Sequence, residues 1–197
     1  VAQMRHWLPD PVGGILWFGV DDATTNLYLP MYCGITEVPQ SFSILNGSLL
    51  DFSWTSAFWV NNWVGNMVYN RYSHMMPDVK KEQEKWETFF NSAVQNADQF
   101  AITSDTIKMR EFLTDFSLAQ AETALKAWTK LGQFLMVKYL DGVTKIEKDG
   151  QFEQNDKHIP NKVIRPGYRE DFNRETFVTP NPERFRMKSS EEMQQRK

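Results

Sequence analysis

Ser53-Trp-Thr-Ser-Ala-Phe-Trp-Val-Asn-Asn-Trp-Val-Gly-Asn-Met-Val-Tyr-Asn-Arg-Tyr72 is the stretch where the hydrophobic period of the chain changes. Phe58, Trp59, Val60, Trp63, Val64, Met67, Val68 and Tyr72 recur at three- and four-residue intervals, which predicts a helix with one broad apolar face. Ser53 or Thr55 can cap its start. The predicted strands all precede this point and the predicted main helices begin with it, so the fold class turns on this segment.

Upstream, Val1–Trp7 alternates in polarity and is closed by Pro9-Asp10-Pro11 and Gly13-Gly14, a strong breaker. Ile15–Val20 is a continuous apolar run of strand length, as expected of a strand covered on both faces. Asp21-Asp22 opens a polar turn, and Asn26–Leu29 predicts a third strand stopped by Pro30. Two short connections imply an antiparallel meander. Cys33 to Leu50, with Pro39, Asn46 and Gly47, predicts a long loop.

Downstream, Pro77 interrupts the helical pattern and is expected to open a second helix over about 78–98. Its stripe is Val79, Trp86, Phe89 or Phe90, Ala93 and Ala97, and Lys80, Lys81, Glu82, Glu84, Lys85 and Glu87 form a solvated face. A short helix is expected near 104–114. Ser117 then reads as the cap of a long helix, with Gln120 completing a capping box and Gly142 supplying the stop. The expected architecture is α+β: antiparallel strands within 1–50, three main helices within 53–142, and an irregular arm over 143–197. That arm carries anchors at Ile159, Val163-Ile164, Tyr168, Phe172, Phe177-Val178 and Phe185, and frays after Met187.

Composition narrows the function classes. The 197 residues carry 22 Lys plus Arg against 25 Asp plus Glu, a formal charge of −3, which argues against nucleic-acid binding through a broad basic face. Residues 1–142 hold a net −5 and residues 143–197 a net +2, which places a boundary near Gly142. No apolar run is long enough to span a bilayer. The single cysteine excludes an intrachain disulfide and a cysteine-based zinc cluster, and it fits cytosol and periplasm alike. Five of the seven tryptophans fall in the first 63 residues. The chain opens on Val1 within a predicted strand, which suggests a part of something longer.

Few residues are placed for chemistry. His6, His74 and His158 share no ligand spacing, so no metal or other cofactor is expected. Cys33 is the only thiol; it is a weak candidate nucleophile with no basic neighbour in sequence, and the alternative is a small buried hydrophobe. Asp21-Asp22 offers either acid/base carboxylates or a turn whose carboxylates bond nearby amides. Asn61, Asn62, Asn66 and Asn70 are unusual on so aromatic a helix. They suit a cleft wall or inter-segment junction, or a core helix whose amides face solvent and neighbouring loops. Arg71 can pair with a carboxylate from elsewhere in the chain.

The pattern Ser53-Trp54-x-Ser56-Ala57-Phe58-Trp59-x-x-Asn62-Trp63-Val64-x-Asn66-Met67-x-Tyr69-x-Arg71-Tyr72 resembles the hallmark helix of the PepD-type dipeptidases, cysteine peptidases of the N-terminal-nucleophile (Ntn) hydrolase superfamily. Gln3-Met4-Arg5-x-Trp7-Leu8-Pro9-Asp10-Pro11-x-Gly13-Gly14-x-x-Trp17-Phe18-Gly19 is similar to their late strands, and Pro30-x-Tyr32-x-Gly34-x-Thr36-x-Val38-Pro39 to the loop after them. Leu113-Thr114-Asp115-Phe116-Ser117 and Leu131-Gly132-x-x-Leu135-x-Val137-Lys138-Tyr139-x-Asp141-Gly142 extend the likeness, which thins in the tail to Gly167-Tyr168.

The resemblance implies an αββα sandwich and hydrolysis of dipeptides by a cysteine that becomes the first residue after processing, its own amine serving as base. Here residue 1 is Val and Cys33 is internal. The chain therefore corresponds to the C-terminal portion of such an enzyme, expected to be inactive alone, with a dipeptide substrate and the N-terminal portion as partners. Arg5, the one basic residue on the predicted strands, is a candidate for orienting a substrate carboxylate, with a structural ion pair as the alternative. Asn62 and Trp63 on the hallmark helix are the other candidate substrate contacts. The competing reading is a non-catalytic binding or interaction module built on the Trp/Asn-rich helix. Strands with open apolar edges also predict a homo-oligomer.

Overall fold

A computed structural model of the chain describes residues 1–167. The described residues divide into two compact units, the first Val1–Leu140 and the second beginning at Asp141. The first is α+β, with a small antiparallel sheet followed by helices. The tail anchors from Tyr168 onward, including Phe172, Phe177-Val178 and Phe185, lie outside the described residues.

The sheet is a meander of β1 (Ala2–Met4), β2 (Gly14–Phe18) and β3 (Leu29–Tyr32), in that order and antiparallel. Gln3 pairs with Ile15, Leu16 with Met31, and Trp17 with Pro30. Pro30 is not the expected stop but an interior residue of β3. It shares the parity of Tyr32, whose N–H points away from β2 and donates to Ser117 Oγ at 3.2 Å. The donor that proline lacks thus faces the outer edge, where no ladder bond is lost. A helical turn, α1 (Asp10–Gly13), fills the β1–β2 connection, with Val12 and Gly13 N–H both bonded to Pro9 C=O.

Three long helices follow: α2 (Ala57–Asn70), α3 (Tyr72–Ala101) and α4 (Thr106–Tyr139). The break between α2 and α3 falls at Arg71 (φ −147°, ψ 53°), not at Pro77, which sits inside α3. Pro77 is close enough to the N-terminus that its missing N–H removes only a bond to Ser73. The two helices expected over 104–114 and after Ser117 are one. Asp105 caps it by accepting from Lys108 N–H at 3.1 Å, which holds the Asp105 carboxyl below its usual range. Ser117 is buried mid-helix, donating to Leu113 C=O at 2.8 Å while accepting from Tyr32.

The main core gathers Val60, Val64 and Val68 of α2, spaced four apart, against Leu27, Leu29 and the small-residue face of α4. Trp128 is its largest buried side chain, and its indole N–H donates to Thr25 C=O at 2.9 Å. Burying such a side chain stabilises by about 1.5–3 kcal/mol. A second cluster, Val12, Ile15, Tyr32, Val94, Met109 and Leu113, seals the sheet onto α3 and α4. At the far end Lys138 pairs with Asp78 at 2.8 Å, and the Tyr139 hydroxyl lies 2.7 Å from the same carboxylate.

Within the second unit, β4 (Thr144–Lys145) pairs with β7 (Val163–Ile164). β5 (Glu147–Lys148) and β6 (Gln151–Phe152) form a hairpin across Asp149-Gly150. Both turn residues have positive φ (53° and 78°), the signature of a type I′ turn.

Candidate functional site

The sheet's two faces differ. Alternation puts Gln3, Arg5, Ile15 and Tyr32 on the side of the Val94 and Leu113 cluster, and Met4, Leu16, Met31 and Cys33 on the opposite side. That other side is only partly covered. Leu16, Phe18 and Met31 form the floor of a groove of about 340 Å³, with Val38, Phe42 and Phe58 as its walls. Phe18 and Phe42 meet edge-on at 5.2 Å. A smaller cleft of about 190 Å³ adjoins it between Ile44, Leu49 and Trp59, and Ser43, Ser56 and Phe58 line both.

The wall between the clefts is a loop held by one amide. Asn46 Nδ2 donates to Gln40 C=O (3.1 Å) and Thr55 C=O (2.8 Å), while its Oδ1 accepts from Ser53 (2.9 Å) and Thr55 (2.8 Å) hydroxyls. Gly47 takes φ +82°, and the Trp59 indole donates to Ser48 C=O at 2.9 Å. Ile44, Leu45, Leu49 and Leu50 are exposed on this fixed frame.

Arg5 faces away from the groove. Its guanidinium pairs with Asp98 of α3 and donates to Val12 C=O, with side chains only 7% and 17% exposed. Tyr32 donates to the same carboxylate at 2.6 Å. Burial first, and then the Asp98 hydrogen bond, push the Tyr32 phenol well above the usual tyrosine range. Arg5 thus takes the ion-pair alternative, fastening the end of β1 to α3.

Asn62 donates to both oxygens of Asp21 at 3.4 Å, and its carbonyl accepts from Asn66 at 2.8 Å. Asn70 bonds back to Asn66, and Asn61 to Ala57, in the same i−4 fashion. Trp63 packs edge-on against Trp54 at 4.9 Å and lies over the α4 backbone at Gly132. The hallmark helix therefore uses these candidates to hold the Asp21 loop and α4, and the structure does not gather them with Arg5.

The Asp21-Asp22 pair forms a turn. Asp22 accepts from Thr24 N–H (3.1 Å), Thr25 hydroxyl (3.0 Å) and Tyr69 hydroxyl (2.9 Å). Burial raises its pKa, but these hydrogen bonds together outweigh burial and hold it below the ordinary carboxylate range. Cys33 is exposed, not buried, and its N–H belongs to the ladder with Gly14 C=O at 2.9 Å. His6 packs on Trp7 and His74 bonds Ser73. Among the described residues, no three His, Cys, Asp or Glu side chains group to hold a metal ion, and no helix is long and apolar enough to cross a membrane.

The segment that builds the meander, the groove wall and the hallmark helix is also the segment that carries a family signature. Residues 1–85 match the model of peptidase family C69. The match runs from β1 into α3 and supports a hydrolase of the peptidase class, consistent with a segment of a PepD-type cysteine dipeptidase. No curated protein matches the chain.

Sequence reasoning missed three residues that matter here. Asp98 gave a weak signal, an acid beside the apolar stripe of α3. Ser56 was passed over for Ser53 and Thr55 as the cap. Asn46 read only as a loop former, because its three partner residues, Gln40, Ser53 and Thr55, come from both ends of the loop.

Proposed function

We propose that this chain is the C-terminal portion of a cysteine dipeptidase whose nucleophile, an N-terminal cysteine, lies on polypeptide outside this sequence. The observation that carries the reading is the C69 match over the sheet and α2. Cys33 is an unsuitable substitute. N-terminal-nucleophile chemistry uses the α-amine of the same residue as base, and the Cys33 nitrogen is an amide engaged with Gly14. In this reading the nucleophile-bearing portion pairs along β1. Odd residues of β1 bond to β2, so the backbone groups of Ala2 and Met4 face an edge that no strand among the described residues covers. That edge is also where copies of the chain associate when the partner is absent.

The module reading has less behind it, since Trp63 is committed to packing, the Asn61, Asn66 and Asn70 amides to their own helix and the Asn62 amide to Asp21. Purified residues 1–197 should cleave no dipeptide, and adding the N-terminal portion with a free N-terminal cysteine should give hydrolysis. Cleavage by the chain alone that disappears in Cys33→Ala would overturn the proposal.

A further inference from the structure

We infer that the N-terminus of α2 and the groove beside it form one subsite for a residue that carries a free carboxylate and an uncharged apolar side chain. Naming that residue as the C-terminal one of a dipeptide rests on the peptidase reading; the subsite itself does not.

The first bond inside α2 is Val60 N–H to Ser56 C=O at 3.1 Å, so the N–H groups of Ala57, Phe58 and Trp59 have no acceptor within the helix. A serine at the N-cap normally accepts from the second or third of these. Ser56 stands at the N-cap and makes no such bond, although it is only 5% exposed. Its side chain instead borders both clefts. No acidic residue lies in the first turn to offset the positive end of the helix dipole. Among the described residues, three amide donors and the accessible hydroxyl of an otherwise buried serine therefore have no partner at the mouth of a cleft, an arrangement complementary to a carboxylate.

The neighbouring surface sets the second requirement. Leu16, Phe18 and Met31 face Val38, Phe42 and Phe58, and Asp51 is the only charged residue between Glu37 and Arg71. A charged side chain entering this groove loses its hydration and meets no counter-ion among the described residues that line it. A leucine or phenylalanine side chain buries apolar surface there at no such cost. The groove lies within the range of about 300–1,000 Å³ common for small-ligand sites.

The test is direct binding to the full chain, followed by amide and methyl NMR shifts. N-acetyl-L-leucine should shift the Ala57–Trp59 amides and the Leu16 and Met31 methyls saturably. N-acetyl-L-leucinamide, which lacks the charge, should bind about tenfold more weakly, and N-acetyl-L-glutamate should also bind more weakly than N-acetyl-L-leucine. Ser56→Asp places a carboxylate at the N-cap, so it should keep or raise the thermal midpoint while abolishing the shifts. Ser56→Ala retains the amides and should weaken binding about fivefold. Equal affinity for acid and amide, or undiminished binding in Ser56→Asp, overturns the inference. Because no turnover is measured, acid-selective binding without hydrolysis on adding the N-terminal portion would sink the peptidase proposal alone. Hydrolysis without these shifts would sink the subsite alone.

Discussion

Replacing Gly132 by alanine tests the contact that sets how closely α2 approaches α4. A β-carbon at this position would lie 2.1 Å from Trp63 Cζ3 and 2.7 Å from Cε3 and Cη2. No real packing tolerates those distances, and the ring is not free to swing, because Trp54 stands edge-on against it at 4.9 Å. Two effects oppose each other. Helix propensity alone favours alanine over glycine by about 1 kcal/mol. Overpacking a filled site costs about 1–3 kcal/mol, and a rigid ring with three atoms inside contact distance puts this site at the upper end. The expected net loss is about 1–2 kcal/mol, read as a lower urea midpoint with an unchanged slope. Trp63→Leu deletes the benzo-ring atoms that cause the clash. On that background Gly132→Ala should show its propensity gain, so the double-mutant cycle should give a coupling of about 2–3 kcal/mol. A stabilised Gly132→Ala chain, or the same change in both backgrounds, would refute the reasoning and free Trp63 for another role.

Two further outcomes concern the anchor of β1. Asp98→Asn leaves Tyr32 an acceptor but strands the Arg5 charge, and because both partners are largely buried the loss should be about 3 kcal/mol by urea unfolding; a loss under about 1 kcal/mol would mean that water screens the pair. Tyr32 keeps its proton in the folded state above its unfolded pKa of 10.0, so its contribution is complete below pH 10.0 and is lost as pH rises beyond it. The slope of that loss is about 1.4 kcal/mol per pH unit for one proton. Tyr32→Phe should flatten the alkaline decline, and an identical decline in the variant would assign it to other groups.

Period and composition were enough for the α+β class, the meander and the body of each long helix. The errors share one cause: a residue with a strong local meaning was recruited by a distant partner. Ser117 with Gln120 has the sequence of a capping box, but its hydroxyl is taken by Leu113 and by Tyr32, 85 positions away. Pro30 looks like a terminator, yet an edge strand has a side on which its missing donor costs nothing. Pro77 was expected to split two helices that in fact part at Arg71. In the site, Arg5 was visible as an isolated charge on a strand, but its partner Asp98 is 93 residues away and only the fold could supply it.

The same long-range logic changes what the aromatic helix means for function. Its residues were conspicuous because tryptophan and asparagine are costly to place on a helix without partners. Each of the prominent ones has a structural partner: Trp63 has α4, Trp59 has the Ser48 carbonyl, and Asn62 has Asp21. A side chain already satisfied by its own fold has little free energy left to give a ligand. Capacity to spare is also found at the helix entrance, where among the described residues Ser56 makes no cap and three amides have no acceptor. The resemblance therefore rests largely on side chains that build a support, and the proposed carboxylate subsite lies at the entrance of the same helix.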